Sequence, residues 1–262
     1  MAQEKRSEIS AVVLTCNSEN TIKACLESIK WVGQIVIVDS LSTDKTLDIA
    51  RSYTDKIWQR PWPGYACQWN FAMDKADKDW VLVVASDEEI TPGLKKEIEA
   101  VLAQPADVKG YFISRKTYFL NKWIRHCGWY PDLSVRLVRK GLGRFDESKL
   151  IHESVSVQGE TARLKNPILH HSYSTICEYI DRMNSYTTLA ARQMFKDGVK
   201  IDAGGIQKIA ARKAFGTFWK MYVKKLGFLD GMRGLFLCIF SGVYRIMTYA
   251  KYWEMLTDET AR

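Results

Sequence analysis

The sequence predicts an α/β fold: a mostly parallel central sheet flanked by helices, Rossmann-like in its alternation, followed by a C-terminal helical extension. Two patterns carry that prediction. Over the first hundred residues, apolar runs of strand length alternate with segments of helical period, as expected for a parallel sheet with right-handed crossovers. Beyond about residue 175 the strand pattern stops and helical periodicity dominates. The α/β domain is accordingly placed at 1–172 and the helical region at 173–262.

The elements follow in order. Ile9–Thr15 (ISAVVLT) is a continuous apolar run, as for a strand buried on both faces. A polar turn, Cys16–Asn20, leads to a helix with Ile22, Cys25, Leu26 and Ile29 on one face. Gln34–Val38 is a second buried strand and ends at Asp39. Ser42 or Thr43 is positioned to cap the next helix, with Asp44 in its first turn. Asp55–Trp58 is a short third strand, Tyr65–Ala76 a helix and Asp79–Val84 a fourth strand. Thr91-Pro92 opens a helix that runs to Leu102, with proline in the first turn. Gly110–Leu120 and Leu133–Val138 are further strands, separated by an aromatic, charged loop at Asn121–Asp132.

Composition narrows the function classes. Hydrophobic residues make up 47% of the 262-residue chain and charged residues 26%, a globular balance, and the net charge of +8 favours anionic partners. Six cysteines without C-x-x-C spacing argue against a disulfide framework or a zinc site and for reduced thiols. The first ten residues lack an apolar signal-peptide core, and the apolar charge-free run Gly234 to Tyr244 is short of the ~20 apolar residues a membrane span needs. A dinucleotide enzyme would carry G-x-G-x-x-G after the first strand, where this chain has TCNSEN. A nucleotidyltransferase would carry a glycine-rich phosphate loop at the same place, a P-loop is absent too, and nucleic acid is not an expected partner, because the basic residues sit among large apolar ones.

In parallel sheets ligands bind beyond the carboxyl ends of the strands, which directs attention to Asn17, Asp39 and the acidic turn Asp87-Glu88-Glu89. An acid at the end of the second strand can accept hydrogen bonds from a base or ribose; a helix-capping loop is the other reading. Three consecutive acids after a buried strand suit a cation or ligand; a solvated turn before a helix suits them equally.

The segments VVLTCNSENTIKACLESI, IVIVDSLSTDKT, QWNFAMDKA and DWVLVVASDEEIT, in that order and spacing, resemble family 2 glycosyltransferases with the GT-A fold, over residues 8 to about 175. GWYPDLSVRLVRKG, IHES and HHSYSTICEYIDRMNSYT resemble a narrower branch that includes bacterial glucosyltransferases of the lipopolysaccharide inner core. The resemblance implies an inverting transfer of a hexose from a nucleoside-diphosphate sugar, a UDP-hexose by the branch, to a lipid-linked or lipopolysaccharide-core sugar. It implies a divalent metal, Mg²⁺ or Mn²⁺, and a donor site containing Thr15, Asn17, Asp39, Ser42, Gln68, Asn70, Ser86, Asp87 and Arg136. The metal candidates are Asp87 and His152. Family members carry Asp-x-Asp after the fourth strand; here Ala85 stands at the first acid and only Asp87 remains, with or without Glu88. That departure leaves a second reading open, a catalytically impaired or nonenzymatic membrane-surface protein that keeps the fold.

For the general base the candidates are Glu153 and Asp132, with a structural salt bridge as the alternative for Glu153. Arg136 and Arg139 are expected to share a strand face suited to a diphosphate or anionic acceptor, or else to solvent. Trp129 and Tyr130 are candidates to stack on the acceptor sugar; packing at the domain edge is the alternative. From Gly205 onward, ten Lys/Arg interleave with large apolar residues against four Asp/Glu. This predicts amphipathic basic helices on an anionic membrane surface, with a homo-oligomer contact or packing on the core as alternatives. The expected location is the cytoplasm, peripheral on the inner face of the cytoplasmic membrane.

Overall fold

The structure, a computed structural model, describes residues 8–104, 107–149, 154–201 and 203–260. It divides into two compact units. The first comprises 8–116, 132–148 and 154–171; the second comprises 117–131 and the chain from Ser172 onward.

The first unit is built on a mixed sheet. Strands β1 (Ile9–Thr15), β2 (Gln34–Asp39), β3 (Ile57–Gln59) and β4 (Trp80–Ala85) lie in the order β3-β2-β1-β4, all parallel. Helices α1 (Ile22–Ile29), α2 (Thr46–Arg51) and α3 (Tyr65–Asp74) make the crossovers. The sheet then turns antiparallel: β8 (Asp132–Arg139) pairs with β4, and β6 (Gly110–Phe119) with β8. β5 (Glu88–Ile90) pairs with β12 (Ile168–Tyr173), and β11 (Thr161–Arg163) lies parallel to β6. Two short strands, β9 (Gly143–Phe145) and β10 (Val155–Val157), form a separate ribbon.

All seven residues of β1 are buried, which explains its unbroken apolar run: it lies between β2 and β4, with side chains packed on both faces. One face joins Ala11, Val13, Ile37 and Leu82 to Ile22, Leu26 and Ile29 of α1. The other joins Val12, Val36 and Val83 to Trp69 and Met73 of α3. Each fully buried Leu, Ile or Val contributes roughly 1.5–3 kcal/mol from removal of apolar surface from water. Helix α4 (Pro92–Leu102) begins as expected, with Thr91 Oγ1 accepting the Leu94 N–H at 3.1 Å and proline in the first turn. The predicted cap of α2 is corrected. Neither Ser42 nor Thr43 caps that helix: the Ser42 hydroxyl turns back to Asp39, and Asp44 Oδ1 accepts the Thr46 N–H at 3.0 Å at the helix start.

The second unit contains the two-residue strand β7 (Lys122–Trp123), which lies within the segment expected to be a loop, and the long helices α5 (Ile176–Lys196), α6 (Ala203–Trp219) and α7 (Gly231–Thr260). A π-helical turn at Lys220–Lys224 and a 3-10 turn at Gly227–Asp230 connect α6 to α7. Its core gathers Phe119, Ile124, Cys127, Tyr179, Leu237 and Cys238. Gly234 lets α7 start close against the 3-10 turn, since a Cβ there would collide with the Gly227 carbonyl oxygen. Lys251 Nζ ties α7 to α5 by donating to Asn184 O at 2.6 Å and Thr187 Oγ1 at 2.9 Å.

Candidate active site

Three parallel strands deliver polar residues to one edge of the first unit. Thr15 closes β1 and is paired in register with Asp39, which closes β2; Leu14 is paired with Ala85, which closes β4. Two strand spacings of about 4.8 Å separate the Asp39 and Ala85 backbones. The sheet therefore brings the Asp39 turn and the acidic turn to the same edge.

Asp39 is buried and densely bonded. Its carboxylate accepts from Thr15 Oγ1 (2.8 Å), the Ser42 N–H (2.9 Å), Ser42 Oγ (2.5 Å) and Gln59 Nε2 (3.4 Å). The loops around it are stitched together. Asn17, in the left-handed region at φ 47°, donates its N–H to Ser42 Oγ at 2.8 Å and accepts the Thr43 N–H on Oδ1 at 2.9 Å. The Ser18 N–H donates to Thr46 Oγ1 at 2.7 Å, and the Ser18 and Ser86 hydroxyls meet at 3.0 Å. This last contact links the turn after β1 to the turn after β4. Gln68 Nε2 donates to Ser40 Oγ at 3.1 Å, while Gln68 Oε1 is buried without a hydrogen-bond partner among the described residues. A buried acceptor left open in this way suits an incoming donor group.

The acidic turn separates its three carboxylates by role. Glu88 is fully buried: Oε2 accepts the Ala85 N–H at 2.8 Å, and Oε1 takes Arg136 at 2.9 Å and faces Arg115 at 3.6 Å. Arg115 also grips the Asp132 carboxylate through Nε, at 2.8 Å, and Nη2. Burial works against the Arg115 charge, yet Glu88 and Asp132 outweigh it and raise its pKa. For Arg136, burial and the neighbouring Arg115 charge prevail over Glu88 and lower it. Asp87 Oδ2 faces His170 Nε2 at 3.6 Å, and the Asp87 carbonyl accepts the His171 N–H at 2.9 Å. Glu89 Oε1 meets His171 Nε2 at 3.1 Å.

Against this geometry the comparisons with known proteins are specific. The family model described as glycosyl transferase family 2 matches residues 10–161, more than half of the chain. The chain belongs to glycosyl transferase family 2. A lipopolysaccharide core biosynthesis glycosyltransferase, LpsC, of Rhizobium meliloti (strain 1021) is 28% identical over 94% of this chain and 92% of its own length. An uncharacterized glycosyltransferase of Rickettsia typhi is 26% identical over 95% of this chain and 87% of its own. Among solved structures, the mannosyltransferase PcManGT from Pyrobaculum calidifontis, in complex with GDP-Man and Mn²⁺, superposes with a TM-score of 0.53 at 15% identity over 95% of this chain and 88% of that one. The fold is GT-A.

For this family 2 chain the structure sorts the expected site residues. Thr15, Asn17, Asp39, Ser42, Gln68 and Ser86 belong to one connected hydrogen-bond system, and Asp87 follows it directly in the chain. Asn70 is occupied elsewhere: its amide clasps β9, donating to Phe145 O (3.0 Å) and Glu147 Oε1 (2.7 Å) and accepting the Phe145 N–H (2.9 Å). Arg136 and Arg139 stand three residues apart and so occupy opposite faces of β8, contrary to the expectation of a shared face. Arg136 is buried on Glu88, and Arg139 is exposed. Glu88 is likewise corrected as a metal candidate, because both of its oxygens are engaged in the interior. Asp132 stands at the start of β8 in its ion pair with Arg115. Glu153 and His152 lie outside the described residues.

His170, His171 and Arg115 were missed. Their partners lie 82 or 83 positions away for the histidines and 17 for the Arg115–Asp132 pair, beyond any local motif. The doublet His170-His171 was the available signal. Among the described residues, no group of three or more His, Cys, Asp and Glu side chains could hold a metal ion. Asp87 and His170 nevertheless offer one carboxylate and one imidazole, a donor pair suited to a cation shared with a substrate phosphate rather than caged by protein alone.

In the second unit, Trp129 packs edge-on against Phe119 at 6.3 Å and lies 6.4 Å from Tyr173, within an aromatic cluster. Tyr130 stands edge-on to Trp123 at 5.4 Å, with Arg125 over the Trp123 ring at 4.5 Å.

Proposed function

We propose that this family 2 glycosyltransferase moves a hexose from a nucleoside-diphosphate sugar, a UDP-hexose by resemblance, to a lipid-linked or lipopolysaccharide-core sugar, with inversion at the anomeric carbon. The observation that carries the proposal is the convergence of Asp39 and Asp87 on one strand-end edge, joined through Ser18 and Ser86. The name of the Rhizobium relative supports a core-glycan acceptor, and the GDP-Man and Mn²⁺ of PcManGT support a nucleotide-sugar donor with a divalent ion.

In this reading Asp39 and the open Gln68 Oε1 receive the N–H or O–H groups of the nucleoside. Asp87 and His170 would hold Mg²⁺ or Mn²⁺ together with the diphosphate, and such an ion would supply positive charge against the diphosphate leaving group. Asp132 or Glu153 takes the proton of the acceptor hydroxyl as that oxygen bonds to the anomeric carbon and the bond from this carbon to the diphosphate breaks. Arg115 orients Asp132 for this role.

Ala85 favours a second reading, a fold retained with impaired transfer, because its methyl stands where the family carries a carboxylate. Ala85→Asp separates the two. We expect it to raise turnover at least several-fold with a divalent ion present; unchanged kinetics would show that Asp87 suffices. A thermal-shift screen of UDP-, GDP-, ADP- and dTDP-sugars with Mn²⁺ and Mg²⁺ tests the donor assignment. Selective stabilisation by one nucleotide class is expected, and no stabilisation by any of them contradicts the proposal.

A further inference from the structure

The corner between α6 and α7 exposes what a folded protein ordinarily buries. Phe215 is 68% exposed, Leu229 57%, Met232 62%, and Trp219, Phe228 and Leu226 each 45–47%. On α6 the rings of Phe215 and Trp219 stack at 6.2 Å, one turn apart on the same face. On α7 the exposed apolar positions Met232, Phe236, Ile239, Ile246 and Trp253 recur at helical spacing, so they form one outward stripe. Scattered exposed apolar residues are ordinary; exposed large apolar side chains concentrated between Phe215 and Met232 mark an interaction surface.

Charge selects the partner. From 203 to 253 the chain carries nine Lys/Arg and a single acid, Asp230. Asp230 is buried and accepts from the Arg125 and His126 N–H groups and meets His126 Nδ1, so it contributes little to the surface. Lys220, Lys224 and Lys225 are exposed directly beside the aromatic corner. A second copy of this chain would set like charges against like charges. An anionic lipid surface neutralises them while taking up the rings. No single helix is long and apolar enough to cross a bilayer; α6 and α7 satisfy that test only as a pair bent by 73°. Lysines at 213, 220 and 224 within that pair, and Lys225 at its break, fit an interface better than a hydrocarbon interior.

We infer that the α6–α7 corner is a membrane-docking element: Phe215, Trp219, Leu226, Phe228, Leu229 and Met232 enter the headgroup–acyl boundary of an anionic bilayer, and Lys220, Lys224 and Lys225 hold its phosphates. This inference does not depend on the transferase assignment.

The test is flotation of the full chain with vesicles of phosphatidylglycerol or of phosphatidylcholine, at low and high salt. We expect at least tenfold more protein on phosphatidylglycerol, loss of most of it in 0.5 M salt, and at least a fivefold drop for Phe215→Ser/Trp219→Ser/Phe228→Ser/Leu229→Ser. That variant keeps its donor-induced thermal shift if the two readings are independent. Should it not fold, quenching of tryptophan emission by brominated phosphatidylglycerol decides, with strong quenching of the unmodified chain and less in Trp219→Phe. No flotation on phosphatidylglycerol, equal flotation of the folded quadruple variant, or no quenching overturns the inference. So does a concentration-dependent dimer in sedimentation velocity that the quadruple variant abolishes while vesicles remain bare.

Discussion

The two units invert each other's use of polar and apolar groups. At the strand-end edge of the first unit, charged side chains are drawn inside: Asp39, Glu88 and Arg136 are buried and each is met by specific partners. At the α6–α7 corner of the second unit, large apolar side chains are held outside while the only acid between 203 and 253 is buried. Each arrangement costs folding stability relative to the ordinary one. Charges are expensive to desolvate, and exposed rings forgo hydrophobic stabilisation. The contrast teaches that neither region is arranged for stability alone: the first fixes charges and donors at a strand-end edge, and the second leaves apolar surface exposed.

The largest effect should come from breaking the interior side of that contrast. Glu88→Ala leaves Arg136 buried and unpaired, and removes the acceptor of the Ala85 N–H. Urea denaturation should show a loss of about 3–5 kcal/mol. A loss below about 1 kcal/mol would mean that the ion pair is not closed to water.

A medium effect is expected at Glu97, whose carboxylate accepts the Lys165 N–H (2.8 Å), the Asn166 N–H (2.9 Å) and Asn166 Nδ2 (2.8 Å). Burial pushes its pKa up, but these three donors prevail and lower it. A carboxylate with a lowered folded pKa contributes stability above its unfolded value near 4.3, and that contribution disappears as pH falls through the folded value. Glu97→Gln should therefore cost about 1 kcal/mol at pH 7, and the gap to the unmodified chain should close on acidification below about pH 4. Melting curves from pH 3 to 7 check this; a gap that widens with acid would reverse the assignment.

The smallest effect sharpens the exterior side. Phe215→Ser removes a ring that is 68% exposed, so stability should change by no more than about 0.5 kcal/mol. A loss of several kcal/mol would show that Phe215 is covered in solution.

The parallel half of the sheet was legible because its signal is local. Strands such as ISAVVLT are buried on both faces and so read as uninterrupted apolar runs. β1 falls at Ile9–Thr15 as expected, and β4 at Trp80–Ala85 against Asp79–Val84. The third strand moved to Ile57–Gln59 from Asp55–Trp58, since an edge strand lying only against β2 has a weak apolar pattern. At the end of β2 the sequence marked Asp39 and Ser42 as a strand-end pair, and the structure joins the two by hydrogen bonds. What stayed hidden depends on distance along the chain. Nothing near Glu88 announces that Arg136, 48 residues on, neutralises it, and nothing near Asp87 points to His170. Asn70 looked like a donor ligand because its helix belongs to the family pattern, yet its amide is directed to β9 by contacts 75 residues away.

The central claim is that the Asp39 and Asp87 turns act on one nucleotide-sugar. Calorimetric titration of the stabilising donor, with Mn²⁺ and with EDTA, into the unmodified chain and Asp87→Asn tests it most directly. The account predicts that EDTA weakens binding to the unmodified chain at least tenfold and that Asp87→Asn in Mn²⁺ binds at that weakened level. Equal affinity of Asp87→Asn and the unmodified chain in Mn²⁺ would contradict it.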